Sequence, residues 1–265
     1  SYRPRYPDIV MTTAQTRRPR RPRSRATVTS VLGEILLTLG AVILLYVLWQ
    51  LWIGDVIYSA QHNAQAAEQS QEWAAAAPAA PEPEPTVDPE DGTPRYEPVV
   101  LPQPADQELF AVMRVPRWGA DYAVNIAGGV TRAGTLDQIG IGHYLDTEMP
   151  GEVGNFGLAA HRTTFGKPFS DLQNLRIGDA IVIETEEGWY TYRFRTLEYV
   201  EPSAYDALAD VPRSPDVPAG ERYITLTTCS PRYAMTERLV GYGVFESYLP
   251  RSTGEQPSAL TEELI

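Results

Sequence analysis

Hydrophobic residues are concentrated in one long stretch near the start of the chain. From Ile35 to Ile53 the sequence reads ILLTLGAVILLYVLWQLWI, interrupted only by one threonine and one glutamine. About 20 apolar residues, each rising about 1.5 Å along a helix, cross a hydrocarbon core about 30 Å thick. Two tryptophans lie near the end of the stretch, where indole rings favour the membrane interface. The pattern predicts a transmembrane helix over residues 31–57.

The residues that follow are polar and lack any long apolar pattern. Val56–Ala80 is rich in alanine, glutamine and glutamate, which predicts a short, solvated helical stem. Pro81–Pro85 alternates proline with glutamate, and an acidic, proline-bearing run continues to Pro104. Such a run forms neither a helix nor a sheet and stays extended. We therefore expect residues 58–106 to form a stem and a disordered linker that act as a spacer.

From residue 107 onward the pattern changes to short alternating apolar runs, which are typical of β-strands. Glu187-Gly188 reads as a hairpin turn between two of them. Many short strands separated by glycine and proline favour a closed barrel over a parallel sheet. The barrel is expected over residues 107–250, before a polar C-terminal tail, 251–265. The predicted strands are Phe110–Val115, Asn155–His161, Ala180–Glu184, Trp189–Phe194, Arg222–Cys229 and Arg238–Tyr248, with short helical turns at 135–139, 170–175 and 205–208. Neither a glycine-rich phosphate loop nor an alternation of strands with long helices is present, which argues against a nucleotide-binding α/β fold.

Charge is distributed as unevenly as hydrophobicity. The chain has a net charge of −12, yet residues 1–30 carry eight arginines against the single acid Asp8. Positive charge before a membrane span places the N-terminus in the cytoplasm and the following domain outside the cell. This topology and contact with anionic lipid explain the basic head (1–30) more simply than nucleic acid binding. The apolar stretch is long for a cleaved signal peptide and lacks a small-x-small cleavage site after it, which favours a retained anchor.

One cysteine, Cys229, occurs in 265 residues, at the end of the alternating run Ile224–Cys229. Exported proteins normally pair their cysteines in disulfides. A single cysteine has no internal partner, so it is free, pairs between chains or does chemistry. The alternative is a buried, inert thiol that packs as a small hydrophobe.

A cysteine nucleophile needs a proton-transfer partner, which is usually histidine. The chain has three histidines. His161 ends an apolar strand and is the best placed. His143 is not at the end of such a strand, and His62 lies in the stem, where we expect it to be solvated.

A positive donor for the oxyanion is also needed. Arg238 opens the strand after Cys229, so an antiparallel pairing would bring the two side chains together. Arg232, in the loop between the strands, is the alternative donor. Arg238 could instead have a structural role and pair with an acid such as Glu237 on a solvated face.

Together these segments resemble the sortases, the membrane-anchored cysteine transpeptidases of Gram-positive bacteria. The resemblance covers roughly Leu109–Leu249 and is most like the class E sortases of actinobacteria. It is carried by the strand ending Thr-Leu-Thr-Thr-Cys, the arginine opening the next strand, and the segments Gly140–Tyr144, Pro150–Phe156 and His161–Phe169. It implies an eight-stranded β-barrel in which Cys229 is the nucleophile, His161 the general acid and base, and Arg238 the oxyanion donor.

The resemblance also implies the substrates. Secreted proteins with a C-terminal Leu-Ala-x-Thr-Gly or Leu-Pro-x-Thr-Gly-like sorting signal would be cleaved between threonine and glycine and joined to an amine of a cell-wall precursor, with no cofactor. A tyrosine is implicated in reading the alanine, for which Tyr122 is our candidate and Tyr144 the alternative. Thr228 is a candidate for orienting the thiol or contacting substrate, or is simply a β-branched strand residue. We see no cluster of carboxylates that suggests a calcium site.

Two other functions remain open at this point. A cysteine enzyme like the L,D-transpeptidases is also exported and mostly β, but it usually has a Ser-x-Gly-Cys pattern where this chain has Thr-Thr-Cys-Ser. A non-enzymatic, membrane-anchored module could instead present a groove of its barrel to wall polymers. A serine hydrolase is excluded because the chain lacks a Gly-x-Ser-x-Gly elbow.

Overall fold

The computed structural model describes residues 27–49, 54–76, 85–87 and 94–263. Nearly all of the basic head, residues 50–53 of the predicted span and residues 81–84 of the proline-glutamate run lie outside the described residues. Helix α1, Val28–Leu48, contains most of the apolar stretch, and by length and composition it is able to cross a membrane. It covers the first part of the predicted span and is compatible with a single-pass anchor.

The rest of the described chain is built around a closed barrel of eight strands. Two short strands, β1 (Thr86–Val87) and β2 (Pro94–Arg95), pair with each other outside it. The barrel strands are β3 (Leu109–Arg114), β4 (Ala123–Gly128), β5 (Ile141–His143), β6 (Gly154–Ala160), β7 (Ala180–Thr185), β8 (Gly188–Val200), β9 (Arg222–Ser230) and β10 (Glu237–Pro250). Their order is β10-β8-β7-β3-β4-β5-β6-β9, and β9 closes the barrel by pairing with β10. The eight-stranded barrel expected from the sequence is confirmed.

Alternation along the strands fills the barrel with apolar side chains. Fully buried members of this core include Met113, Ile126, Ile141, Phe156, Leu158, Ile181, Ile183, Tyr190, Tyr192 and Leu226. All six predicted strands are present, whereas β4 and β5 were not predicted as strands. β5 has only three residues, and β4 is buried along its whole length and does not alternate. Short runs of this kind are hard to distinguish from loops by periodicity.

The stem differs from the expectation. Helix α2, Asp55–Ala76, is not solvated on all sides, because it packs along β4 and touches β7. Ala66 and Trp73 are buried against Val112 of β3 and Ala123 of β4. The small side chain of Ala66, which is fully buried, allows the helix backbone to approach the barrel closely at that point. His62 is buried with them, at 3% exposure, which corrects its assignment as a solvated residue.

The segments flanking the barrel also pack on it. Tyr190 donates a hydrogen bond to the backbone oxygen of Val99, and Pro104 is buried. The linker therefore does not extend freely to residue 106 as expected, since its last residues lie against the barrel. In the tail, Arg251 is buried, donates to Glu184 at 3.0 Å and stacks over the ring of Trp189 at 4.5 Å. The polar tail is thus bound to the barrel through a buried ion pair.

Candidate active site

Strand register brings the predicted nucleophile and the predicted oxyanion donor together. Strands β9 and β10 are antiparallel, and Arg238 lies directly opposite Cys229. Facing residues on neighbouring antiparallel strands have Cβ atoms about 4.5–5.5 Å apart and project from the same face of the sheet. The short loop between β9 and β10 therefore brings Cys229 and Arg238 next to each other, as expected from the sequence.

The third member of the set comes from β6, the other neighbour of β9. Strands β6 and β9 run parallel, with Ala159 beside Thr227. His161 and Cys229 each lie two positions beyond that pair, so both reach the same end of the barrel. His161, Cys229 and Arg238 line one cleft of about 470 Å³. The structure thus brings the three predicted residues together.

The cleft is rich in positive charge. Three arginines line it, namely Arg132, Arg162 and Arg238, and the described lining residues include no aspartate or glutamate. Arg162 is 7% exposed and donates to the backbone oxygen of Cys229 at 3.3 Å and to Gln173 at 3.2 Å. Guanidinium groups at such a site favour negative charge that develops on a substrate oxygen.

The two candidate oxyanion donors occupy different places. Arg238 is half-buried at the cleft, and its Nη1 donates to the backbone oxygens of Met235 at 3.3 Å and Glu237 at 3.0 Å. Within the described part of the chain, its guanidinium has no carboxylate partner, so the proposed pairing with Glu237 does not occur through the side chain. Arg232 donates to the backbone oxygen of Ser170 at 2.7 Å and does not line the cleft. Arg238 is therefore the better placed donor.

A carboxylate that the sequence reasoning missed is bonded to the histidine. The Nε2 of His161 lies 2.6 Å from Oδ1 of Asp137, and both side chains are mostly buried. A carboxylate in this position accepts the Nε2–H of a neutral imidazole, fixes the orientation of the ring and stabilises the imidazolium. Nδ1 is then the ring nitrogen left for proton transfer. Asp137 lies 24 positions upstream of His161, in a turn after Arg132–Leu136, and nothing in the local pattern indicates this pairing.

The tyrosine candidate from the sequence is not in the cleft. Tyr122 is packed edge-to-face on Trp118 with ring centroids 4.9 Å apart, and its hydroxyl donates to the backbone oxygen of Pro168 at 3.1 Å. Burial raises the pKa of Tyr122 well above its usual value. The alternative, Tyr144, does line the cleft, and its hydroxyl lies 2.9 Å from that of Thr227. Burial raises the pKa of Tyr144 as well, so both tyrosines are neutral hydrogen-bonding groups at physiological pH.

Thr228 lines the cleft, but its hydroxyl is already engaged. Its Oγ1 donates to the backbone oxygen of Ala160 at 2.7 Å, and the residue is 3% exposed. The bond ties the end of β9 to the end of β6, next to both Cys229 and His161. In this geometry Thr228 supports the spacing of the two strands and does not present its hydroxyl to the thiol.

His143 proves to be a core residue. It ends β5, is fully buried, and its ring nitrogens contact the backbone oxygen of Gly157 at 3.0 Å and Gln103 at 3.1 Å. His143 is held in the core by β5, a strand that was not predicted from the sequence. Burial lowers the pKa of His143 to about 4, against a smaller opposing effect of the Gly157 carbonyl.

Folding stability should consequently fall as the pH is lowered below 6.5. The unfolded chain takes up a proton at His143 near pH 6.5, whereas the folded chain does so only near pH 4. The contribution is complete above pH 6.5 and is lost between these values, at about 3 kcal/mol for full protonation. Urea unfolding of the wild type and of His143→Gln at pH 7, 5 and 4 measures it. The variant should lose less stability than the wild type over this range; equal losses would contradict the assignment.

No group of three or more histidine, cysteine, aspartate or glutamate side chains able to hold a metal ion occurs among the described residues.

Comparison with known proteins gives consistent matches. A family model described as a sortase domain matches residues 113–246. Sortase SrtE1 of Streptomyces coelicolor is 34% identical over 249 residues, which cover 92% of this chain but only 64% of that relative. Sortase SrtE2 of the same organism is 31% identical over 231 residues, covering 84% of this chain and 85% of the relative.

Solved structures agree with these sequence matches. The SrtA sortase from Actinomyces oris superposes with a TM-score of 0.58 at 32% identity, covering 63% of this chain and 95% of that one. Sortase E1 from Streptomyces coelicolor, solved with a tripeptide in its active site, has a TM-score of 0.54 at 37% identity and covers 59% and 99% of the two chains.

Proposed function

The chain belongs to the sortase family, and from that premise we propose that it is a membrane-anchored transpeptidase with its barrel outside the cell. Its substrates would be secreted proteins that carry a C-terminal Leu-Ala-x-Thr-Gly-like sorting signal. It would cleave the signal between threonine and glycine and join the threonine to an amine of a cell-wall precursor. The single observation that supports this most directly is the convergence of Cys229, His161 and Arg238 in one cleft.

In the first half of the reaction the thiol of Cys229 gives its proton to His161, and the sulfur attacks the threonine carbonyl carbon. Negative charge develops on the carbonyl oxygen, where the Arg238 guanidinium stabilises it. The carbon–nitrogen bond to glycine then breaks, and the imidazolium of His161 donates its proton to the leaving amine. Asp137, 2.6 Å from Nε2, stabilises the charged ring meanwhile.

In the second half an acceptor amine enters the cleft and attacks the thioester carbonyl. His161 takes the proton that the amine loses and returns it to the sulfur as the carbon–sulfur bond breaks. The products are a new amide and a free Cys229 thiol, so the energy of the original peptide bond is conserved. The reaction consumes neither a nucleotide nor a cofactor.

For reading the sorting signal we propose Tyr144, since it is the tyrosine candidate that lines the cleft. Its hydroxyl is held by Thr227 of β9, two positions before Cys229. Thr227 donates its own proton to the backbone oxygen of Leu158 at 3.1 Å, so the Tyr144 hydroxyl donates to Thr227. The tyrosine oxygen is then left to accept from a peptide N–H at a residue too small to fill the space itself. This would favour alanine at the second position of the signal.

The anchor and the cell-surface location are supported by composition. Helix α1 is able to span a membrane, and the arginines before it favour a cytoplasmic N-terminus. A barrel on the outer face would meet exported substrates and wall precursors beside the membrane.

A peptide assay tests this function. We expect the full chain in detergent to cleave a Leu-Ala-x-Thr-Gly peptide between threonine and glycine and to form a ligated product when an amine such as triglycine is present. A Leu-Pro-x-Thr-Gly peptide serves as the matched control, and the preference between the two should shrink in Tyr144→Phe. Mass spectrometry identifies the bond that is cut. Cleavage at another bond, or no product with either peptide, would contradict the proposal.

A further inference from the structure

The loop after His161 has an unusual backbone. Three successive residues, Phe165, Gly166 and Lys167, have positive φ angles of 51°, 75° and 44°. Only glycine adopts this left-handed region freely, so two of the three residues are strained. Such conformations persist where surrounding structure imposes them. The loop must therefore be held by a neighbouring element.

That element is the first half of α2. The ring of Tyr58 packs edge-to-face on Phe165 with centroids 5.9 Å apart, and Asp55 lies 3.5 Å from the ammonium of Lys167. Between them Gly166 approaches the helix so closely that a Cβ there would lie 2.9 Å from Nδ1 of His62. The helix residues that contact the loop are Asp55, Tyr58, Ser59 and His62, which are spaced as one helix face.

His62 touches a second segment as well. A Cβ on Gly140, whose φ is 119°, would lie 3.4 Å from the imidazole of His62. Gly140 is three residues after Asp137, and Gly166 is five residues after His161. The buried imidazole therefore packs between the two segments that carry the members of the Asp137–His161 pair. Its Nδ1 has no hydrogen-bond partner among the described residues, so its contribution at this place is packing.

The path from α2 to the reacting ring is short. Phe165, which Tyr58 contacts, stacks on the ring of His161 at 5.3 Å and an interplanar angle of 31°. Thr163 and Thr164, at the start of the same loop, line the cleft. One side chain thus separates the helix from the imidazole.

We propose that α2 positions the catalytic pair, His161 and Asp137. Tyr58 acts through Phe165, and His62 packs between Gly140 and Gly166. Together they fix the position of the His161 ring relative to Asp137. This rests on the proposed function, in which His161 transfers protons. The helix that follows the membrane segment in sequence is then part of the catalytic unit and not only a spacer. Tyr58 and His62 are positioning residues, since neither lines the cleft.

The test compares two ends of the same helix. Tyr58→Ala and His62→Ala remove contacts to the loop, whereas Trp73→Ala removes a buried contact to the barrel far from it. We expect the first two to lower kcat about tenfold with KM for the peptide within about twofold, because small misplacements of a proton-transfer group lower the rate of chemistry. Tyr58→Phe, which keeps the aromatic ring, should have the wild-type kcat. Trp73→Ala should have a lower melting temperature, but at temperatures where it is folded its kcat should equal that of the wild type.

A second readout does not depend on the sorting signal. The pH profile of Cys229 alkylation by iodoacetamide reports the ionisation of the thiol and its neighbours, and it should shift in Tyr58→Ala and His62→Ala but not in Trp73→Ala. Unchanged kcat and an unchanged alkylation profile in the two loop variants would overturn the proposal, as would an equal loss of kcat in Trp73→Ala. If the wild type cleaves no peptide, the proposed function fails, and the alkylation profiles still decide whether α2 positions the pair. Tyr58 is partly exposed, so its variant should remain folded if His62→Ala does not.

Discussion

Cys229→Ala is expected to lower cleavage of a Leu-Ala-x-Thr-Gly peptide by at least about 10⁴-fold, to the limit of detection. The thiol is the only cysteine in the chain and lies in the cleft beside Arg238 and His161. Without it there is no sulfur to form the acyl intermediate, and neither of the other two groups can replace a nucleophile. A fluorogenic peptide assay with product detection by mass spectrometry measures the loss.

The variant should remain folded and should still bind peptide. Cys229 is half-buried at the rim of the barrel, so removing one sulfur leaves the apolar core intact. Its melting temperature and its Kd for the peptide should stay close to those of the wild type. Residual turnover clearly above about 0.01% of the wild-type rate would contradict the assignment of this thiol as the nucleophile.

Arg238→Lys should be the next most damaging change, with kcat reduced about 10²–10³-fold and KM altered little. Lysine keeps the positive charge but lacks the planar fork of donors with which a guanidinium holds a substrate oxygen. The loss should fall on kcat because the oxyanion exists only in the transition state and the tetrahedral intermediate. Steady-state kinetics with saturating peptide separate the two parameters.

Arg232→Lys is the matched control. Arg232 lies in the same β9–β10 connection but binds the backbone of Ser170 instead of facing the cleft. Its replacement should leave kcat within about twofold of the wild type, as expected of a surface polar contact. A larger loss from Arg232→Lys than from Arg238→Lys would show that the donor has been assigned to the wrong arginine.

The three central residues could be predicted because each lies at the end of a strand with a clear pattern. A continuous apolar run predicted β6, an alternating run predicted β9, and the short β9–β10 loop predicted the antiparallel pairing that sets Arg238 opposite Cys229. The barrel followed from the same strands together with the family resemblance. These inferences depend on local pattern and connectivity, which a sequence contains.

The remaining features depend on contacts between segments that are distant in sequence. Asp137 meets His161 only because the turn before β5 folds over the end of β6. The sequence favoured Tyr122 over Tyr144, but packing places the first against Trp118 and the second in the cleft. Likewise His62 is polar and lies among glutamines and alanines, so nothing in its neighbourhood indicates that α2 buries it.

The central claim, that Cys229 carries the acyl group during turnover, is tested most directly by the intact mass of the protein. The chain is mixed with a Leu-Ala-x-Thr-Gly peptide without an acceptor amine and is quenched in acid within seconds. The account predicts an adduct equal to the peptide up to its threonine, attached to the one cysteine and removed by added triglycine with formation of the ligated peptide. Cleavage of the peptide at the wild-type rate with no acyl-protein at any time, and undiminished cleavage after the thiol has been alkylated, would contradict it.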